Sequence, residues 1–85
     1  MRDCLTALSS TGIIAVARID DSIDALSVVE ALLEGGIPLV EFAFSHRSAL
    51  HSIERATQKF DGTALIGAGT VLDSETARAA IIAGA

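Results

Sequence analysis

Three short apolar runs begin at Ile13, Pro38 and Thr63, so the interval between starts is 25 residues both times. They read Ile13-Ile14-Ala15-Val16-Ala17, Pro38-Leu39-Val40-Glu41-Phe42-Ala43-Phe44 and Thr63-Ala64-Leu65-Ile66-Gly67. Runs this short, continuous and rich in branched residues describe strands buried on both faces, the habit of a parallel sheet. The spacing leaves room for one helix between each pair.

Helical patterns fill those intervals. Asp21 or Ser22 is expected to cap a helix carrying Ile23, Leu26, Val29, Leu32 and Leu33 on one stripe, stopped by Gly35-Gly36. A second helix is expected from about Arg47 to Lys59. Leu50, Ile53 and Ala56 or Thr57 point inward there, and Glu54, Arg55 and Lys59 point outward. Asp61-Gly62 turns the chain into the third strand. Asp73 or Ser74 then caps a helix with Ala77, Ala80 and Ile81 inward, ending at Gly84. A leading helix is expected near Arg2 to Leu8.

The order α-βα-βα-βα with parallel strands is a run of βαβ units. Its short period, without insertions, favours a (β/α)8 barrel over a doubly wound sheet, since eight such units give about 200 residues. The expected fold is therefore α/β: residues 1–85 form a partial TIM-barrel domain, a leading helix plus three βα units, with the later part of the barrel absent. Ile82-Ala83-Gly84-Ala85 reads as the stop before a fourth strand. Three strands cannot close a barrel. Ile14, Val16, Val40, Phe42 and Leu65 are expected to face the missing interior, and such a chain alone should be partly unfolded, aggregated or oligomeric.

Composition narrows the function. With 51% hydrophobic residues the chain is not disordered. Six Lys and Arg against eleven Asp and Glu give a net charge of -5, and no basic run exists, so nucleic acid is not an expected partner. Cys4 is the one cysteine, which leaves no internal disulfide and no cysteine-built metal site. No apolar run approaches the roughly 18 residues of a membrane span. Ala15-Val16-Ala17 resembles a leader cleavage site, but Ser9, Ser10, Thr11 and Gly12 interrupt any apolar core before it. The expected location is cytoplasmic.

In barrels, chemistry sits at the C-terminal ends of the strands. That rule selects Arg18, the stretch from Glu41 to His46, and Gly67 to Thr70. Glu41 is the most informative: a carboxylate among apolar strand neighbours must be paired, protonated or used. Desolvation would raise its pKa and suit it to general acid/base work. The bland alternative is an ion pair, for instance with Arg18. Arg18 itself is either an anion-binding fork or a solvated strand-end charge. Gly67-Ala68-Gly69-Thr70 offers a close backbone approach and a hydroxyl for an anion, or is simply a tight turn. Ser45 is a candidate for binding a substrate oxygen. His46 and His51 are five apart, too far round a helix for a metal pair, and no metal or cofactor is expected. Lys59, the single lysine, falls at a helix end away from the strand C-termini.

Gly12-Ile13-Ile14-Ala15-Val16-Ala17-Arg18, Glu34-Gly35-Gly36-Ile37-Pro38-Leu39-Val40-Glu41-Phe42 and Ile66-Gly67-Ala68-Gly69-Thr70-Val71-Leu72 together resemble the 2-keto-3-deoxy-6-phosphogluconate aldolase family. That family includes the 4-hydroxy-2-oxoglutarate and 2-keto-3-deoxy-6-phosphogalactonate aldolases. The resemblance spans nearly the whole chain and about the first two-fifths of a family member. It implies a trimeric (β/α)8 barrel and a metal-independent class I aldolase, releasing pyruvate and an aldehyde through a lysine Schiff base. By resemblance, Glu41 matches the glutamate that shuttles protons through a water, and Thr70 the threonine that helps hold the pyruvyl carboxylate. Arg18 matches a substrate-binding arginine of some members. Ser45 stands where members carry arginine, threonine or asparagine, and Ala43 where threonine or proline is common. The family's lysine lies on the sixth strand, and Lys59 does not match it. Two other readings stand beside this one: a non-catalytic module active only in assembly, and another phosphate-binding barrel such as a sugar-phosphate isomerase.

Overall fold

The computed structural model describes residues 4–85. Its elements are α1 (Cys4–Thr11), β1 (Ala15–Ala17), α2 (Ala25–Glu34), β2 (Leu39–Ala43), α3 (Ala49–Lys59), β3 (Leu65–Gly69) and α4 (Ser74–Ala83). All three strands are parallel in the order β1-β2-β3. This is the architecture of the N-terminal part of a (β/α) barrel.

Register fixes the faces. Val16 lies opposite Glu41, and Glu41 opposite Gly67; Ala17 lies opposite Phe42, and Phe42 opposite Ala68. Val40, Phe42 and Ile66 pack with Val29 of α2 and with Ile53 and Ala56 of α3 in one apolar core. Alternation along a strand then sends Val16, Glu41, Ala43, Leu65, Gly67 and Gly69 to the face opposite that core. The expectation that Val40 and Phe42 line the open interior is therefore wrong; each is 1% exposed beneath the helices. Runs apolar on both faces carry no parity signal, so the sequence could not choose. For Ile14 and Val16 the expectation holds, at 41% and 52% exposed.

Boundaries moved for local reasons. α1 continues to Thr11, and the expected start at Arg2 and Asp3 lies outside the described residues. The cap of α2 is Asp24, not Asp21 or Ser22. Its carboxylate accepts from the Leu26 N–H and the Ser27 hydroxyl, while Asp20 takes Ser22 into a separate turn. Ile23 consequently falls outside the helix and is exposed. Ser48 precedes α3 without a side-chain cap bond, and Leu50 points out rather than in. Asp73 caps α4 through the Thr76 N–H. Ile81, expected inward, is 68% exposed, because Ala80 takes the buried position. β3 starts two residues later than expected, since Thr63 and Ala64 are tied back to the Phe60 carbonyl. It then runs through its glycines to Gly69, held by β2.

α3 and α4 approach closely at Gly84, which ends α4 with φ 118°. A Cβ there would lie 2.5 Å from the Thr57 hydroxyl oxygen. That hydroxyl in turn donates to the Ala83 carbonyl at 2.9 Å.

Candidate functional site

Because the strands are parallel and in register, their C-terminal ends share one edge of the sheet. Arg18 and Thr70 come one residue after β1 and β3, and Ser45 two residues after β2. All three are exposed. Glu41 sits mid-strand on the face opposite the core and is half-buried rather than fully buried. The anticipated pairing with Arg18 does not occur; among the described residues, neither Glu41 nor Arg18 makes an ion pair or a side-chain hydrogen bond.

Glu41 leans across β3 toward its C-terminal end. A Cβ built on Gly69 would lie 2.5 Å from its Cδ and 3.0 Å from its Cγ, and closer still to Oε2. The next residue, Thr70, has φ 56°. A β-branched residue rarely enters this left-handed region, and doing so costs about 1–3 kcal/mol. The carboxylate thus lies against the bare Gly69 backbone, and the strained backbone of Thr70 follows at the same strand end. Strain of this kind concentrates where a turn must present a side chain in a fixed direction.

A second group lies in the loops at the same end. Arg47 donates to Asp21 at 2.6 Å, joining the β2–α3 loop to the β1–α2 loop. The Ser48 N–H donates to His46 Nδ1 at 3.2 Å, and the Ser48 hydroxyl lies 2.9 Å from the same nitrogen. Nδ1 is therefore an acceptor, and its 3.9 Å approach to Asp21 is not an ion pair in that state. Asp20 is held below the usual carboxylate range by the Ser22 hydroxyl and then the Ser22 N–H. Nothing in the residue pattern signals the Asp21–Arg47 tie. Two charges 26 residues apart meet only because parallel strands bring their loops side by side.

A cavity of about 650 Å3 follows the unpaired edge of β3, with Ile14, Leu39 and Glu41 on one side and Thr57, Gly84 and Ala85 on the other. It reaches Glu41 and Gly67 but none of Arg18, Ser45, Gly69 or Thr70. The structure therefore aligns the candidate residues along strand ends without enclosing them in one pocket. Lys59 is remote from them, at the C-terminal end of α3, with Nζ 3.8 Å from Glu30 and 5.5 Å from the centre of the Phe60 ring. Among the described residues no helix is long and apolar enough to cross a membrane.

The comparison with curated proteins returns no match. The family model for KDPG and KHG aldolases matches residues 5–85. With that match over almost its full length, and with parallel βα units of the barrel type, the chain belongs to the KDPG and KHG aldolase family.

Proposed function

We propose that the chain is the first part of a class I aldolase, one that cleaves a 2-keto-3-deoxy sugar-acid phosphate or 4-hydroxy-2-oxoglutarate to pyruvate and an aldehyde. The observation that carries this reading is Glu41, a carboxylate without a partner among the described residues, on the face opposite the core and lying against the C-terminal end of β3. Once the substrate carbonyl is held as an iminium, cleavage needs a base for the hydroxyl proton of the departing carbon. The same group must then return a proton to the enamine left behind. Glu41 fills both roles, through a water. Thr70 and the bare backbone at Gly69 hold the pyruvyl carboxylate, and Arg18 and Ser45 bind the remainder of the substrate from the neighbouring strand ends.

The amine that forms the iminium is not Lys59, whose place beside Glu30 lies away from the strand C-termini. It comes from a later strand of the barrel. The other units also cover Ile14, Val16 and the free edges of β1 and β3, within a cytoplasmic homo-oligomer that is a trimer by family resemblance. The three βα units of residues 1–85 then act as a partial barrel domain.

Two measurements test this. Incubating the 85-residue chain with pyruvate and borohydride should leave Lys59 unmodified; a stoichiometric mass increase on it would remove the argument about the amine. In an enzyme carrying these residues, Glu41→Gln should lower turnover by about 100-fold or more, the scale of general acid/base catalysis. Unchanged turnover with reduced stability would make Glu41 a structural group.

A further inference from the structure

We propose that Gly69 is a positioning residue for Glu41: its missing side chain is the clearance through which the carboxylate reaches the C-terminal end of β3. The inference rests on the reading of Glu41 above for its catalytic meaning, but its geometry stands apart from it.

Two glycines of β3 lie beside Glu41 on the face opposite the core, and they differ. Gly67 is the direct register partner of Glu41, yet a Cβ on it would meet nothing within 4 Å. Gly69 is the register partner of Ala43, two residues further on, yet a Cβ on it would collide with the whole end of the Glu41 side chain. Glu41 therefore does not lie straight across the sheet. It slants along the strand direction and rests on the Gly69 backbone.

Backbone freedom does not explain the glycine. Gly69 is absent from the positive-φ glycines, which are Gly12, Gly36, Gly62 and Gly84. An alanine can adopt the backbone conformation at this position, and the three atoms nearest to an added Cβ all belong to Glu41. Gly69 immediately precedes Thr70 and bears the contact with the Glu41 carboxylate, so a methyl group here turns Glu41 away from the strand end that leads into the positive-φ backbone of Thr70. The open space above Gly67 then remains for a ligand beside the carboxylate. The role of Gly69 is thus to place the proton-transfer group, in addition to any backbone contact with substrate.

The test is a spectroscopic comparison on the 85-residue chain labelled with 13C and 15N. In the parent chain, the Glu41 γ-protons should show a nuclear Overhauser contact to the Gly69 α-protons. Gly69→Ala should abolish close contact between the Glu41 γ-protons and the residue-69 α-proton and shift the Glu41 carboxyl carbon resonance. Gly67→Ala should leave both signals in place. A cycle with Glu41→Ala separates positioning from folding. The loss of stability caused by Gly69→Ala should vanish once residue 41 is alanine. If Gly69→Ala does not fold, the double variant should. Retention of the Glu41 contact and resonance in Gly69→Ala overturns the proposal. So does an equal stability loss, or failure to fold, in the Glu41→Ala background, because Gly69 would then be required by the backbone itself. None of these outcomes depends on whether the completed enzyme turns over.

Discussion

Helical periodicity puts both Ile53 and Ile81 on inward stripes, and the structure separates them. Ile53 is fully buried between α3 and the sheet, whereas Ile81 is 68% exposed on α4. Truncation to alanine removes three carbons in each case. At about 0.8 kcal/mol per buried methylene, Ile53→Ala loses about 2.4 kcal/mol of transfer free energy. The unfilled cavity raises this to about 3–4 kcal/mol. Ile81 gives up only about a third of that transfer term, and the better helix propensity of alanine returns about 0.4 kcal/mol, so its change is within about 0.5 kcal/mol. An 85-residue domain has a total stability of about 4–13 kcal/mol, so the first change is a large fraction of the whole. Urea unfolding followed by far-ultraviolet circular dichroism reads the difference. With a slope near 1 kcal/mol per molar, the Ile53→Ala midpoint falls by about 3 M and the Ile81→Ala midpoint by less than about 0.5 M. Repeating the titration at two protein concentrations keeps self-association out of the result. Similar losses for both variants would refute the packing described for α4 and restore the inward stripe read from the sequence.

Thr70→Gly should raise the unfolding midpoint by relieving the left-handed strain, worth about 1 kcal/mol after the added chain entropy of glycine; a lower midpoint would show that Thr70 is not strained. Asp24 and Asp73 are held below their ordinary range, Asp24 by the Ser27 hydroxyl and then the Leu26 N–H, Asp73 chiefly by the Thr76 N–H. Because their folded pKa values are depressed, the stability they contribute is present above about pH 4 and lost as pH falls through the folded values. An Asp24→Asn, Asp73→Asn double variant should therefore show a shallower acid dependence, and an unchanged acid limb would rule these caps out as its source. Sedimentation velocity should show self-association that grows with concentration and weakens in Val16→Lys, since Val16 is half exposed on the open face; a monomer at all concentrations would show that this face needs no cover.

The fold was legible to the extent that its period was. A 25-residue repeat of branched, apolar runs is enough to place three strands and the helices between them, because little else satisfies that spacing. Parity was not legible. Val40 and Phe42 are as apolar as Leu39 and Ala43, so which pair met the helices had to come from the register. Cap choice failed at α2 for a related reason: Asp20, Asp21, Ser22 and Asp24 are all good caps, and only the turn made by Asp20 with Ser22 leaves Asp24 for the helix. At the site, Glu41 stood out because a charge within a buried strand conflicts with its neighbours. Its slant over Gly69 did not, since no local rule links a glutamate to a glycine that is not its register partner. Thr70 gave no hint of its backbone conformation, because threonine is a residue that ordinarily avoids it.

The strands lie in the sheet in the order in which the chain makes them, and the helices pack on neighbours made just before or after, α2 on α3 and α3 on α4. Each pairing closes a loop of only about one βα unit, for which the entropic penalty is small and varies little with length. Such α/β topologies form at rates between those of helical bundles and all-β folds, and their pairings do not wait for distant partners. During synthesis, β2 finds β1 already present, β3 finds β2, and α3 settles on strands that precede or immediately follow it. Assembly is therefore vectorial, running from the N-terminus as the chain emerges. The outer edge of β3 is the place where a growing sheet is extended.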